Sequence, residues 1–147
     1  MVRKDKKMIK IIVAGHGNYA SGMVSAAELI IGEKHQLSYV EFTKDTSPEQ
    51  LRRALNDIIE DTEEKEILVL SDLVGGTPFK TGVDISRTSQ KDVCVIGGTN
   101  LAMIMEAVLT VNNQQSLQQF VQSLINNSRK AIGVFEFLED LEEDDEL

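Results

Sequence analysis

Gly15-His16-Gly17 sets a histidine between two glycines directly after an apolar run, Met8-Ile-Lys-Ile-Ile-Val-Ala14. Imidazole attacks phosphorus well when one ring nitrogen has a free lone pair. A carboxylate on the other nitrogen's N–H fixes that tautomer and stabilises the positive charge that develops. Asp72 can be that carboxylate, because it follows a second apolar run, Glu66-Ile-Leu-Val-Leu-Ser71. If the two runs are neighbouring strands, both side chains leave the same sheet edge. Three glycine-bearing loops share that edge: Gly15 to Asn18, Asp72 to Thr77 with Gly75 and Gly76, and Gly97 to Asn100. Glycines let backbone N–H groups approach a ligand, and two of these loops run into helix N-termini, so the edge suits an anion, phosphate first. His16 and Asp72 are the candidate catalytic pair, Gly75, Gly76 and Thr77 the candidate phosphoryl-binding residues. Gly17, Asn18, Thr99 and Asn100 are candidate cleft lining. Taken alone, His16 reads equally well as a satisfied loop histidine and Asp72 as a turn or cap residue; the three loops on one edge favour function.

Near misses narrow the chemistry. Gly15-His-Gly-Asn-Tyr-Ala-Ser-Gly22 places its third glycine two residues late for a dinucleotide fingerprint, and no Gly-x-x-x-x-Gly-Lys-Ser/Thr sequence exists. A receiver domain would want paired acids after the first strand, and a histidine phosphatase an arginine just before the histidine. Cys94 is the only cysteine and His35 the only other histidine, so neither an intramolecular disulfide nor a Cys/His zinc site can form. A carboxylate-only metal site stays open. His35 reads as a surface loop residue, Cys94 as a small core hydrophobe, and Met103 and Met105 as core packing.

The elements that must position these residues alternate. Residues 8–14, 37–42, 66–71 and 92–96 are short, largely apolar runs that suit strands buried in a parallel sheet. Between them, residues 20–31 place Met23, Ala26, Ala27, Leu29, Ile30 and Ile31 on one broad helical face that stops at Gly32. Ser47-Pro-Glu-Gln50 is a helix start with a capping box and Pro48 in the first turn. Thr77-Pro78 repeats that logic for a helix through Ile85, and Asn100 opens another over residues 101–109. Residues 116–125 are the last helix, and residues 130–137 read as a final strand. The alternation predicts an α/β fold: an open, doubly wound, mainly parallel sheet of about four parallel strands, order 2-1-3-4, flanked by helices.

The chain has 147 residues, 15 Lys and Arg against 24 Asp and Glu, and a net charge of −9, which argues against nucleic acid or an anionic membrane as partner. Eight of the acids fall in residues 136–147, leaving −1 on residues 1–135. The expected organisation is one domain over residues 1–137 with an acidic tail over 138–147. With 41% hydrophobic residues, a chain this long should bury roughly 68–70% of its unfolded surface. No stretch approaches the roughly 20 apolar residues of a membrane helix, and the start Met1 to Lys7 leads into no signal-peptide pattern, so a cytoplasmic location is expected.

Three motifs, Ile12-Val-Ala-Gly-His-Gly17, Leu70-Ser-Asp-Leu-Val-Gly-Gly-Thr-Pro-Phe79 and, more loosely, Ile96-Gly-Gly-Thr-Asn-Leu-Ala-Met103, give a resemblance over residues 8–137. The sequence resembles the IIA component of the mannose class (mannose, fructose and N-acetylgalactosamine) of bacterial phosphoenolpyruvate-dependent sugar phosphotransferase systems. The resemblance implies a phosphoryl carrier without cofactor or metal. In it, His16 is phosphorylated on Nε2 by the phosphocarrier protein HPr, Asp72 orients the ring, and Thr77 donates to the phosphoryl group. The next acceptor is a histidine of the IIB component, and the membrane IIC and IID components complete sugar uptake. Members often have serine at Thr77 and tryptophan at Val74; the first change keeps the hydroxyl and the second alters the rim. A homodimer is also implied. Its C-terminal antiparallel strand is either exchanged between subunits over the polar stretch Asn126-Asn-Ser-Arg-Lys130 or folded back on its own chain. The phosphotransfer subunit of the phosphoenolpyruvate-dependent dihydroxyacetone kinase shares the fold and is the alternative. A non-catalytic phosphate-binding regulatory module is the alternative from another class.

Overall fold

The computed structural model describes residues 9–33, 37–113 and 115–136. Along the chain the elements are β1 (Ile9–His16), α1 (Tyr19–Ile31), β2 (Leu37–Phe42), α2 (Pro48–Asp61), β3 (Glu66–Ser71), α3 (Thr77–Thr88), β4 (Asp92–Ile96), α4 (Leu101–Thr110) and α5 (Leu117–Lys130). The four strands form one sheet in the order β2-β1-β3-β4, and every neighbouring pair is parallel. The expected strand order and the bounds of β2, β3 and β4 are those observed.

Alternation along the strands divides the interior into two layers. Ile9, Ile11 and Val13 of β1 and Leu68 and Leu70 of β3 pack with α1, α4 and α5, whereas Ile12, Ala14, Ile67 and Val69 pack on the opposite face with α2 and α3. Ile11 and Ile12 are both fully buried. Each contributes on the order of 1.5–3 kcal/mol of burial, so β1 is anchored from both sides as the apolar run predicts. Ser47 caps α2 in a complete capping box with Gln50, and Ser116 does the same for α5 with Gln119.

Several expectations need correction. β1 runs on through Gly15 and His16, because both continue the parallel register with Glu41 and Phe42 of β2. On α1 the buried positions are Ala20, Val24 and Ala27, while Leu29 is 88% exposed and Ile30 is exposed too. Leu29 lies two positions past Ala27, about 200° around the helix, so the broad apolar face was drawn too wide. α3 starts without a side-chain cap: Gly76 is the N-cap, Thr77 the first helical residue and Pro78 follows it. α5 continues to Lys130, so the polar stretch from Asn126 to Lys130 is helix and not a hinge; Ser128 is buried and Arg129 and Lys130 supply positive charge at the helix C-terminus. Within one chain, residues 132–136 are not in a strand. His35, the basic start and the acidic tail lie outside the described residues.

Candidate functional site

In strand order β2-β1-β3-β4 the chain leaves β1 towards one side and later crosses to β3 on the other, so the topological switch point lies between the carboxyl ends of β1 and β3. His16 ends β1 and Asp72 follows β3, with Ala14 registered on Ser71. The two sides of the crevice thus each supply one functional group.

Asp72 Oδ2 accepts two hydrogen bonds from His16, from the backbone N–H at 2.9 Å and from Nδ1 at 2.9 Å. A carboxylate only accepts, so Nδ1 carries a proton, and in the neutral ring the lone pair falls to Nε2. The His16 side chain is 44% exposed and that of Asp72 16%, which leaves the ring reachable and shields its partner. The Phe42 ring meets the imidazole edge-on, with centroids 5.9 Å apart and planes at 70°. Phe42 also accepts the Gly17 N–H on its carbonyl at 2.8 Å, tying the histidine loop to β2. Phe42 is not legible as a site residue from the sequence; its only signal is that it ends the strand that neighbours β1.

The loop after β3 folds under the ring. Gly76 N–H donates to Leu73 O at 3.1 Å and Gly75 has φ +85°, the geometry of a turn that needs glycine at its third position. The Gly76 amide is therefore committed within the turn, and Gly75 serves the turn's conformation. The first N–H bonded within α3 is that of Lys80, to Gly76 O at 2.8 Å. Thr77 and Phe79 precede it, so their N–H groups and the Thr77 hydroxyl stand at the positive end of the helix.

The third glycine loop is placed differently from expectation. Gly17 and Asn18 are exposed beside His16, but Thr99 is buried and Asn100 is half-buried and lines the cavity between β4 and α5. Asn100 caps α4 by accepting Met103 N–H, and its Nδ2 donates to Ser128 O of α5 at 3.2 Å. Gly97 packs against Val74, where an added Cβ would lie 2.6 Å from Val74 Cγ2. Beyond Val74 a largely apolar cavity of about 340 Å³ opens between β4 and α5, lined by Met103, Val121, Ile125 and Ile132 among others. Tyr19 was missed as well. Its hydroxyl donates to Thr99 O at 2.7 Å, and burial, reinforced by the nearby Asp72 charge, pushes its pKa up to about 12. Cys94 is half-buried in β4, and burial pushes its thiol pKa up. Met103 is buried and Met105 packs against the same core, as expected.

Among the described residues no group of three or more His, Cys, Asp or Glu could hold a metal ion, and no helix is long and apolar enough to cross a membrane.

An exposed imidazole with one nitrogen held by a carboxylate, at the switch point of a parallel sheet and beside a helix N-terminus, is an arrangement whose chemistry suits phosphoryl transfer. Comparison with known proteins shows the family. The family model EIIA-man, described as "PTS system fructose IIA component", matches residues 10–125, and the chain belongs to this family of sugar phosphotransferase components. The fructose-specific EIIA component of Bacillus subtilis (strain 168) is 30% identical over 131 residues, covering 86% of each chain. The sorbose-specific EIIA component of Lacticaseibacillus casei is 28% identical, covering 80% of this chain and 83% of that one. Among solved structures, a phosphotransferase system component EIIA from Streptococcus agalactiae is 39% identical with a TM-score of 0.82, covering 87% of this chain and 98% of that one. A mannose/sorbose-specific IIA subunit from Enterococcus faecalis is 26% identical with a TM-score of 0.79, covering 90% and 98%. Family membership makes the chain a phosphotransfer component of a sugar phosphotransferase system.

Proposed function

We propose that the chain takes a phosphoryl group onto Nε2 of His16 from the phosphohistidine of HPr and passes it to a histidine of a IIB component. The observation that carries this reading is the bond from His16 Nδ1 to Asp72 Oδ2 at 2.9 Å, which leaves Nε2 as the ring nitrogen with a lone pair. In the first transfer that lone pair attacks phosphorus while the donor's N–P bond breaks and its electron pair returns to the HPr imidazole. The His16 ring gains positive charge as the new N–P bond forms, and Asp72 holds the Nδ1 proton and offsets that charge. Thr77, through its hydroxyl and N–H, the Phe79 N–H and the α3 dipole stabilise the phosphoryl oxygens, with Gly75 shaping the turn that brings them there. The second transfer is the same step in reverse with the IIB histidine as acceptor.

The relatives' names give fructose, sorbose and mannose, so the proposed pathway is uptake of a hexose, with the membrane IIC and IID components acting downstream. The proposed site of action is the cytoplasm, and the proposed assembly is a homodimer. Incubation with phosphoenolpyruvate, enzyme I and HPr tests the carrier role: about one acid-labile, base-stable phosphoryl group per chain is expected. His16→Gln should fold and take up none, and Asp72→Asn should bind HPr but transfer slowly, since an amide supplies no negative charge. A folded His16→Gln protein that is still phosphorylated would overturn the assignment, and wild-type protein that takes up nothing would make the domain a phosphate-binding module.

A further inference from the structure

Two buried oxygens near His16 and Asp72 have no partner within 3.5 Å among the described residues, Asp72 Oδ1 and Thr99 Oγ1, and the Thr99 hydroxyl has the Tyr19 hydroxyl as its polar neighbour. One is an acceptor that a carboxylate cannot leave dry without cost, and the other is a hydroxyl with a proton to give. The backbone brings them together. Thr99 N–H donates to Ser71 O at 3.0 Å, directly before Asp72.

Tyr19 holds the other side of this arrangement. Its hydroxyl clamps Thr99 O at 2.7 Å, and its ring lies so close under Gly15 that an added Cβ there would be 2.3 Å from Tyr19 Cδ2. The residue before His16 and the residue beside Asp72 are therefore braced by one aromatic side chain.

We propose that Thr99 and Tyr19 are positioning residues that act through Asp72, the Thr99 hydroxyl reaching Asp72 Oδ1 through one buried water while Tyr19 fixes the Thr99 backbone. This inference rests on the reading of His16 as the phosphoryl carrier. With Oδ1 held inside, Oδ2 is fixed where it can accept from both the backbone N–H and Nδ1 of His16, and the ring stays in the tautomer that bares Nε2. Without the Thr99 proton the carboxylate turns to satisfy Oδ1 with solvent and releases Nδ1.

The test uses the full chain with Thr99→Val, which keeps the branched shape and removes the hydroxyl, and Thr99→Ser, which restores it. Nitrogen NMR of the unphosphorylated protein should show His16 with its proton on Nδ1 in wild type and Thr99→Ser, and a mixed tautomer in Thr99→Val. Phosphoryl uptake from phospho-HPr should slow about tenfold in Thr99→Val with KM for phospho-HPr little changed, and Tyr19→Phe should move both readouts the same way by less. Thr99→Ala gives the same reading if the valine variant folds poorly. A folded hydroxyl-free variant with the wild-type tautomer and rate would overturn the proposal. So would a loss that Thr99→Ser does not rescue. If wild-type protein takes no phosphoryl group onto His16, the carrier reading fails, while the tautomer measurement still decides the positioning role.

Discussion

A Cβ atom on Gly76 would lie 2.8 Å from Cε1 of His16 and 3.5 Å from its Nε2. The backbone at Gly76, φ −75° and ψ 168°, is one that any residue adopts, so the requirement for glycine is the space taken by the imidazole and not the conformation of the chain. The α3 N-terminus is packed directly against the histidine that its dipole is to serve.

Gly76→Ala should therefore displace the His16 ring without unfolding the protein. A shift of the order of 1 Å in a reacting group costs about 100-fold in rate, so phosphoryl uptake should fall by about that factor while the melting temperature changes little. Uptake kinetics from phospho-HPr beside thermal unfolding check this; a wild-type rate would show that the ring has room to move aside.

Thr77 is the first helical residue of α3, and α3 starts without a side-chain cap. Its hydroxyl is therefore available to a phosphoryl group instead of being spent on the helix. Thr77→Ser should keep transfer near wild type. Thr77→Val should slow it by about tenfold, the scale of one hydrogen bond to a charged group, with stability nearly unchanged. Equal small losses in both would return Thr77 to a structural role.

The juxtaposition of His16 and Asp72 was legible because its signals are local: two apolar runs of strand length, a glycine on each side of His16, and an acid immediately after the second run. Thr99 follows from the same loop argument, but its burial does not, since a residue's position in a glycine loop does not say which way it turns. Tyr19 and Phe42 carried no such signal. Each acts through a contact made across the sheet, Tyr19 to Thr99 and Phe42 to His16, and contacts of that range depend on strand order and register more than on neighbours in sequence. The end of α5 was misread for the opposite reason. Asn126 to Lys130 look like a linker by composition, yet buried Ser128 and the bond from Asn100 to its carbonyl dock that turn onto α4.

Cys94 gives a prediction about pH. Burial raises its thiol pKa and outweighs the opposing backbone hydrogen bond to Val95, and the neighbouring charge of Asp92 adds a lesser rise. A raised thiol pKa means less thiolate at any pH below it, so reactivity is suppressed near neutrality and recovers only as pH climbs past the ordinary thiol range. Alkylation by iodoacetamide should follow a pH profile with a midpoint above that of the denatured chain. A midpoint at or below that of the unfolded protein would contradict the burial argument.

The proposed homodimer turns on the segment after α5. Ile132 is 74% and Val134 76% exposed, and among the described residues β4 is an outer strand of the sheet with one neighbour, β3. An apolar segment beside an open strand edge invites pairing with another chain, and exchange of an identical element is a low-cost route to it. Because α5 reaches Lys130, a deletion that spares the fold must begin after Ala131 and not within the helix. That truncation should convert the dimer to a monomer in sedimentation equilibrium while the far-ultraviolet spectrum keeps its helical content. Phosphoryl uptake should persist, since His16, Asp72 and Thr77 all lie before the cut. A dimer that survives the deletion would place the interface elsewhere, and mixed wild-type and truncated chains separate exchange from simple contact: exchange predicts that one intact segment per pair holds the two chains together more weakly than two.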